Sequence, residues 1–335
     1  MKPFTRIDNP EYIDKDFIET ELKLGKEVIL QFVDRSYTDK ILADINELCL
    51  AHDENLCIRF YGHYSEPFDC NVLQKIPHVK CLYIDCMISA NNLHQVKKLL
   101  NLRSLCLGIF EIEDPEILSA SNLKDLTELI IDTTKTKAFN LGHLRGFRKL
   151  KSLRISGHTK NIDAIGVLSE LETLTLYAIK KVPLHFINQL KQLKKLEILL
   201  GGRDNLNELE LNAIEHLDIT WVRGLRDLSC LANFPQLKSL KIEDEIQLAT
   251  LDFNTIYPHL TEVKLYNCKK LETIEGLKNL PQLNTLVINQ TNIDFGKFME
   301  QELPKSLKTF GFHTYKSKVD KEIQAVVESK GFIYR

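Results

Sequence analysis

A beat of apolar residues at the spacing L-x-x-L-x-L constrains this chain more than any other feature. In the stretch from Leu260 to Ile288, Leu260, Val263 and Leu265 set the beat and Cys268 follows. Ile274, Leu277 and Leu280 then keep a three-residue spacing, and Leu283, Leu286 and Ile288 begin the next beat. The period-2 piece predicts a short strand, and the three-residue spacing predicts a helical or extended return. Neither half carries enough apolar surface to fold alone, so the unit makes sense only when stacked on copies of itself.

The beat begins at Val79, Leu102, Leu126, Leu150, Leu171, Leu193, Ile214, Leu237, Leu260, Leu283 and Leu307, at spacings of 21 to 24 residues. An ordinary α/β domain rich in leucine would not keep so tight a register. On these residues the chain resembles the leucine-rich repeat superfamily, whose units have about 20 to 29 residues. Return segments such as Ile162-Ile165-Leu168-Leu171 and Leu225-Leu228-Leu231-Phe234 look like the short, internalin-like bacterial type. The resemblance covers residues 51 to 315. It implies an α/β fold: a leucine-rich repeat solenoid, a curved right-handed coil with a parallel sheet on its concave face, capped at both ends. For function it implies little, because such repeats serve many roles.

Three segments follow: an N-terminal cap over 1–54, repeats of about 11 or 12 turns over 55–315, and a C-terminal cap over 316–335. Residues 1 to 25 are mixed and acidic. Residues 26 to 33 predict a strand, and Ser36 or Thr38 could cap a helix to about Leu50. Its apolar face is Ile41, Leu42, Ile45, Leu48 and Cys49. Residues 55 to 61 predict another strand. The pattern breaks at 199 to 213, where an extra beat, Leu206-Leu209-Leu211, reads as the return of the turn begun at Leu193. Gly201-Gly202 marks the bend out of that strand. Residues 295 to 304 read as a helix feeding the tail. Residues 316 to 330 read as a helix with Val319, Ile323, Val326 and Val327 inward, ended by Gly331 before a strand at 332 to 334.

Lys plus Arg is 44 against Asp plus Glu 46, a formal net charge of -2. Such balance points to neither nucleic acid nor a polybasic membrane anchor. The start has no apolar signal region and no stretch is long enough to span a bilayer, so a cytoplasmic protein, monomeric when free, is expected. Eight cysteines without paired spacing suit a reducing compartment.

Within each strand, alternate residues point out of the coil. Glu197, Asp218, Lys241 and Lys264 should therefore share one row, acidic turning to basic over roughly 15 Å. Tyr177 and Tyr266 flank it, with Trp221 and Arg223 just beyond a strand end. Aromatic and arginine side chains on one face are ingredients of a protein-binding hot spot. The plainer reading is a solvated sheet laced by cross-strand ion pairs. Cys57, Cys81 and Cys106 also fall outward, near Asp85 and His63, at spacings that match no structural zinc pattern. His216, Asp218 and Glu197 form a weaker ligand grouping.

No phosphate-binding glycine loop, H-E-x-x-H or G-x-S-x-G occurs. These residues predict no cofactor, no metal and no catalysis, and a chain that binds another protein along its strands. An immunity-type inhibitor of a protein toxin is the preferred form, and a secreted effector engaging a host protein is the alternative. A further alternative is a small enzyme or ligand site in the N-terminal strand-helix-strand region, using Cys57, His63, Tyr64 and Asp69.

Overall fold

The computed structural model describes residues 3–137, 139–210 and 213–335. Contacts divide the chain into two compact units, Met1–Leu171 and Glu172–Arg335.

The first unit contains β1 (Phe4–Asp8), α1 (Lys15–Lys23), β2 (Glu27–Val33), α2 (Asp39–Ala51), β3 (Leu56–Tyr61) and β4 (Phe68–Asp69). It continues with β5 (Cys81–Asn91), β6 (Ser104–Glu111), β7 (Glu128–Ile131) and β8 (Ser152–Ser156). Strands β1, β2, β3, β5, β6, β7 and β8 pair parallel in that order, and β4 pairs with the far end of β5. The returns are α-helices at first and 3-10 segments afterwards, such as Cys70–Lys75, Leu93–Lys98 and Ile162–Val167. Apolar residues at every third position suit the 3-10 segment, which has three residues per turn.

Thr38 caps α2, accepting from the Ile41 N–H at 3.3 Å, while Ser36 donates instead to Asn9 at 2.6 Å. All five expected residues of α2 are buried. Over residues 1–25, where no element was read, β1 and α1 form. Strand β1 alternates exposed and half-buried residues, and α1 buries only Ile18 and Glu21, so neither carries the strong beat of the repeats.

The second unit contains β9 (Thr173–Tyr177), β10 (Lys195–Leu199), β11 (His216–Thr220), β12 (Ser239–Glu243), β13 (Thr250–Asp252) and β14 (Glu262–Tyr266). After these come β15 (Thr273–Glu275), β16 (Thr285–Asn289), α3 (Phe295–Phe298), β17 (Thr309–His313), α4 (Ser317–Ser329) and β18 (Ile333–Tyr334). A parallel sheet runs β9-β10-β11-β12-β14-β16-β17-β18. Two returns, β13 and β15, pair with each other in a separate ladder. Leu196, Leu217, Leu240 and Val263 fall in one buried row, with Ile198, Ile219, Ile242 and Leu265 in the next. Each such side chain contributes about 1.5–3 kcal/mol on leaving water.

Leu206 and Leu209 are buried in the return after β10, as read from the sequence; Leu211 lies outside the described residues. The tail departs from expectation on one face. Ile323 and Val327 are buried, but Val319 and Val326 are each 39% exposed. The buried pair is spaced i, i+4 along one stripe, and Val326 lies about 100° round the helix from Val327. Gly331 takes φ +87° and ends α4. Of residues 295–304, only Phe295–Phe298 is helical.

Candidate functional site

The open face of the second unit carries the expected row. Glu197 faces Asp218, Asp218 faces Lys241, and Lys241 faces Lys264 in the register of successive strands. Alternation alone produces this, because the residues between them are the buried Leu and Ile of the core.

The charges are held by neighbours. Glu197 takes the Lys195 ammonium at 2.6 Å and accepts from the Thr175 hydroxyl at 2.6 Å. Asp218 accepts from Thr220 at 2.8 Å and meets Lys241 at 3.3 Å across the strands. Lys241 also reaches Glu243 at 2.7 Å, and Lys264 reaches Glu262 at 2.6 Å. Burial disfavours the Lys241 ammonium, but Glu243 and Asp218 outweigh it and its pKa is raised. Half-exposed pairs of this kind add little stability. What they do is fix the direction in which each charge is displayed.

Tyr177 and Tyr266 end β9 and β14 and are half-buried. The dip in the row, bounded by Lys195, Glu197, His216, Asp218, Lys241 and Lys264, measures about 180 Å³. Pockets that enclose small molecules run to about 300–1,000 Å³. Beside this dip, a wider hollow of about 710 Å³ is lined by His216, Ser239, Thr261, Glu262 and Thr285.

Trp221 and Arg223 stand apart from the six residues of this face. Both lie past the end of β11 and line a different hollow with Lys180, Lys181 and the Gly201-Gly202 backbone. In the sequence Gly201-Gly202 marks only a bend, and the signal for the two lysines is the Lys180-Lys181 pair in the loop after β9, at the same end of the turn as Trp221.

The N-terminal alternative does not assemble. His63 is buried, its Nε2 lies 2.8 Å from the Asp34 carbonyl, and its ring packs edge-on against Phe68. Asp69 caps the next return, accepting from the Asn71 N–H at 3.0 Å and from Asn92 at 2.9 Å. Cys57 is buried and Tyr64 is exposed. A hollow of about 380 Å³ in this part is lined by other residues, among them Ile7, Pro10, Tyr12 and Phe17.

The cysteines need a correction. Cys57, Cys81 and Cys106 occupy outward register positions, as alternation predicts, yet all three are buried. Burial and a hydrogen bond to Cys81 push the Cys57 thiol well up in pKa, and burial raises that of Cys106. The potential ligand atoms that come within 4.8 Å of one another, among the described residues, belong to Glu27, Cys57 and Cys81. Neither Asp85 with His63, nor His216 with Asp218 and Glu197, joins such a group. Asp85 instead is clamped by the Arg59 guanidinium at 2.8 and 2.9 Å.

Short parallel strands with 3-10 returns, repeating every 21 to 24 residues, make this a leucine-rich repeat fold. Solved structures share the fold. A leucine-rich repeat protein of Leptospira interrogans matches with a TM-score of 0.50 at 16% identity, covering 98% of this chain and 93% of that one. The Drosophila complex of Toll and Spatzle gives 0.54 at 14% identity, over 96% of this chain and 48% of that one. An internalin of Listeria monocytogenes gives 0.45 at 16% identity, over 91% and 86%. No family model matches the chain, and no curated protein matches it significantly.

Proposed function

We propose that this chain is a non-catalytic scaffold that holds a protein partner against the strand face of its second unit. The observation that carries the reading is the continuous row of Glu197, Asp218, Lys241 and Lys264, whose charges are tethered in place before any partner arrives. Ordering them beforehand lowers the entropy lost on docking. The shallowness of the dip favours a broad macromolecular contact over an enclosed substrate. The partner's surface should offer basic groups opposite Glu197 and Asp218 and acidic groups opposite Lys264.

In the fullest form of this reading the chain acts in the cytoplasm, is monomeric when free, and occludes a toxin's working surface. An effector seizing a host protein would use the same face. Among the described residues no helix is long and apolar enough to cross a membrane.

A photo-crosslinking side chain placed at exposed His216, on the strand face, tests the proposal in cells of the native source. The control places it at exposed Lys278, on the 3-10 return Leu277–Asn279. A discrete conjugate from position 216 and none from 278 supports the reading. Conjugates from 278 alone would move the binding surface to the returns.

A further inference from the structure

A hollow of about 540 Å³ opens at the strand ends of the second unit, among the loops that follow β9, β10 and β11. Lys180 and Lys181 come from the first loop, Trp221 and Arg223 from the third, and Gly201-Gly202 lies between them. Parallel bridges join Lys180 to Gly202 and Gly202 to Arg223. Two cationic positions therefore flank a bare glycine backbone, about 10 Å apart at two strand spacings.

The charge here differs from that of the strand face. On the face, Lys195, Lys238, Lys241 and Lys264 each hold a carboxylate within 2.7 Å. At the hollow, among the described residues, Lys180, Lys181 and Arg223 form no ion pair. The one carboxylate in the wall among the described residues, that of Asp204, meets Arg226 at 3.2 Å. Arg203, also in the wall, is committed to Glu208 at 2.8 Å and to the Val182 carbonyl at 3.1 Å. Three exposed cations around one hollow repel one another, and a bound anion relieves that repulsion.

Trp221 adds a second, independent observation. The first residue after each of β9, β10, β11, β12, β14 and β16 is left-handed, from Ala178 at φ +55° to Gln290 at +52°. Asp244 and Asn267 hold that place after β12 and β14, and such short polar side chains tolerate it. Trp221, at +54°, is bulky and remains 55% exposed. The left-handed turn belongs to the repeat; what sets this position apart is a large aromatic ring left exposed beside the hollow, where it offers a ligand an apolar surface.

We propose that this hollow binds an extended acidic segment of a protein partner. Carboxylates three residues apart meet Lys180 with Lys181 at one end and Arg223 at the other, and the chain between them lies on the Trp221 ring. In the polyproline II form of an extended chain, with three residues per turn and about 3.1 Å rise per residue, acids three apart return to one face and span about 9 Å. A single phosphate would need the cations to converge on one point, whereas these come from loops two strand spacings apart. The proposal rests on the protein-binding reading above but assigns a different surface.

Trp221 is the single tryptophan of the chain, so its emission reports on the hollow directly. The probe is a labelled peptide with two glutamates three residues apart and a tyrosine between them, compared with the same peptide carrying lysines. Expected is a saturable change in Trp221 emission with the acidic peptide only, weakening as salt rises above about 0.1 M. Lys180→Glu with Arg223→Glu should weaken anisotropy-detected binding by roughly tenfold or more. Lys278→Glu, on the 3-10 return Leu277–Asn279, should leave it unchanged. Trp221→Asn should also lose the peptide, and because asparagine suits the left-handed position this variant stays folded. No saturable change up to millimolar peptide, or equal binding of the lysine peptide, overturns the proposal. So does displacement by inorganic pyrophosphate at lower concentration than the peptide, which would make the ligand a phosphate. Conjugation from position 216 with no peptide binding would sink this inference alone and leave the strand-face scaffold standing.

Discussion

Glu245 accepts the Val222 backbone N–H at 2.6 Å from a position only 1% exposed. The bond crosses from the loop after β12 to the loop after β11 and anchors the residue between Trp221 and Arg223. Burial drives the Glu245 carboxyl pKa up to about 8 against the Val222 hydrogen bond, with Asp244 adding to the rise. The folded state therefore keeps a proton that the unfolded state gives up near its ordinary pKa of 4.5. Stability should fall as pH climbs through this window, by up to about 1.4 kcal/mol per unit, and level off above it. Glu245→Gln keeps the acceptor and removes the titration. Denaturant melts at pH 6 and pH 9 should converge in the variant and differ in the parent.

Trp221→Asn relieves the left-handed strain at φ +54°. Relief of this kind is worth about 1 kcal/mol. Thermal denaturation should show a higher Tm for the variant than for the parent.

Gly276 responds in the opposite direction. Its φ is +74°, and a Cβ there would overlap the Phe253 carbonyl oxygen. The backbone of β13 and β15 passes too closely for any side chain, so Gly276→Ala should cost on the order of 2–4 kcal/mol. Urea unfolding measures it.

Cysteine chemistry separates register from exposure. Seven of the eight thiols are buried and Cys86 is exposed. A thiol reagent at pH 8 should titrate one fast cysteine in the native protein and the other seven only on unfolding. The fast one should disappear in Cys86→Ser.

The repeats were legible because they are periodic. A three-residue offset between Leu260 and Val263, copied through eleven turns of sequence, fixes strand register and hence the neighbours of Asp218 and Lys241 without any knowledge of loops. Residues governed by enclosure were not legible. Alternation gave Cys57 and Cys106 their direction, but only packing shows that they are covered. Strand β1 and helix α1 were missed because the first holds Phe4 and Arg6 exposed and the second buries a glutamate, so neither displays the core pattern. The hollow around Trp221 depends on loops after three different strands, which no single stretch of sequence brings together. Glu245 looked like one acid among many in the run Glu243-Asp244-Glu245 until its burial was seen.

Single cysteine substitutions, in a background with Cys86→Ser, at Asp218, Ile219, Lys241, Ile242, Lys264 and Leu265 address the shared row most directly. Labelling rates on the folded protein should alternate, fast at 218, 241 and 264 and protected at 219, 242 and 265. Uniform rates, or protection at 218, 241 and 264, would contradict a single open row and with it the docking face.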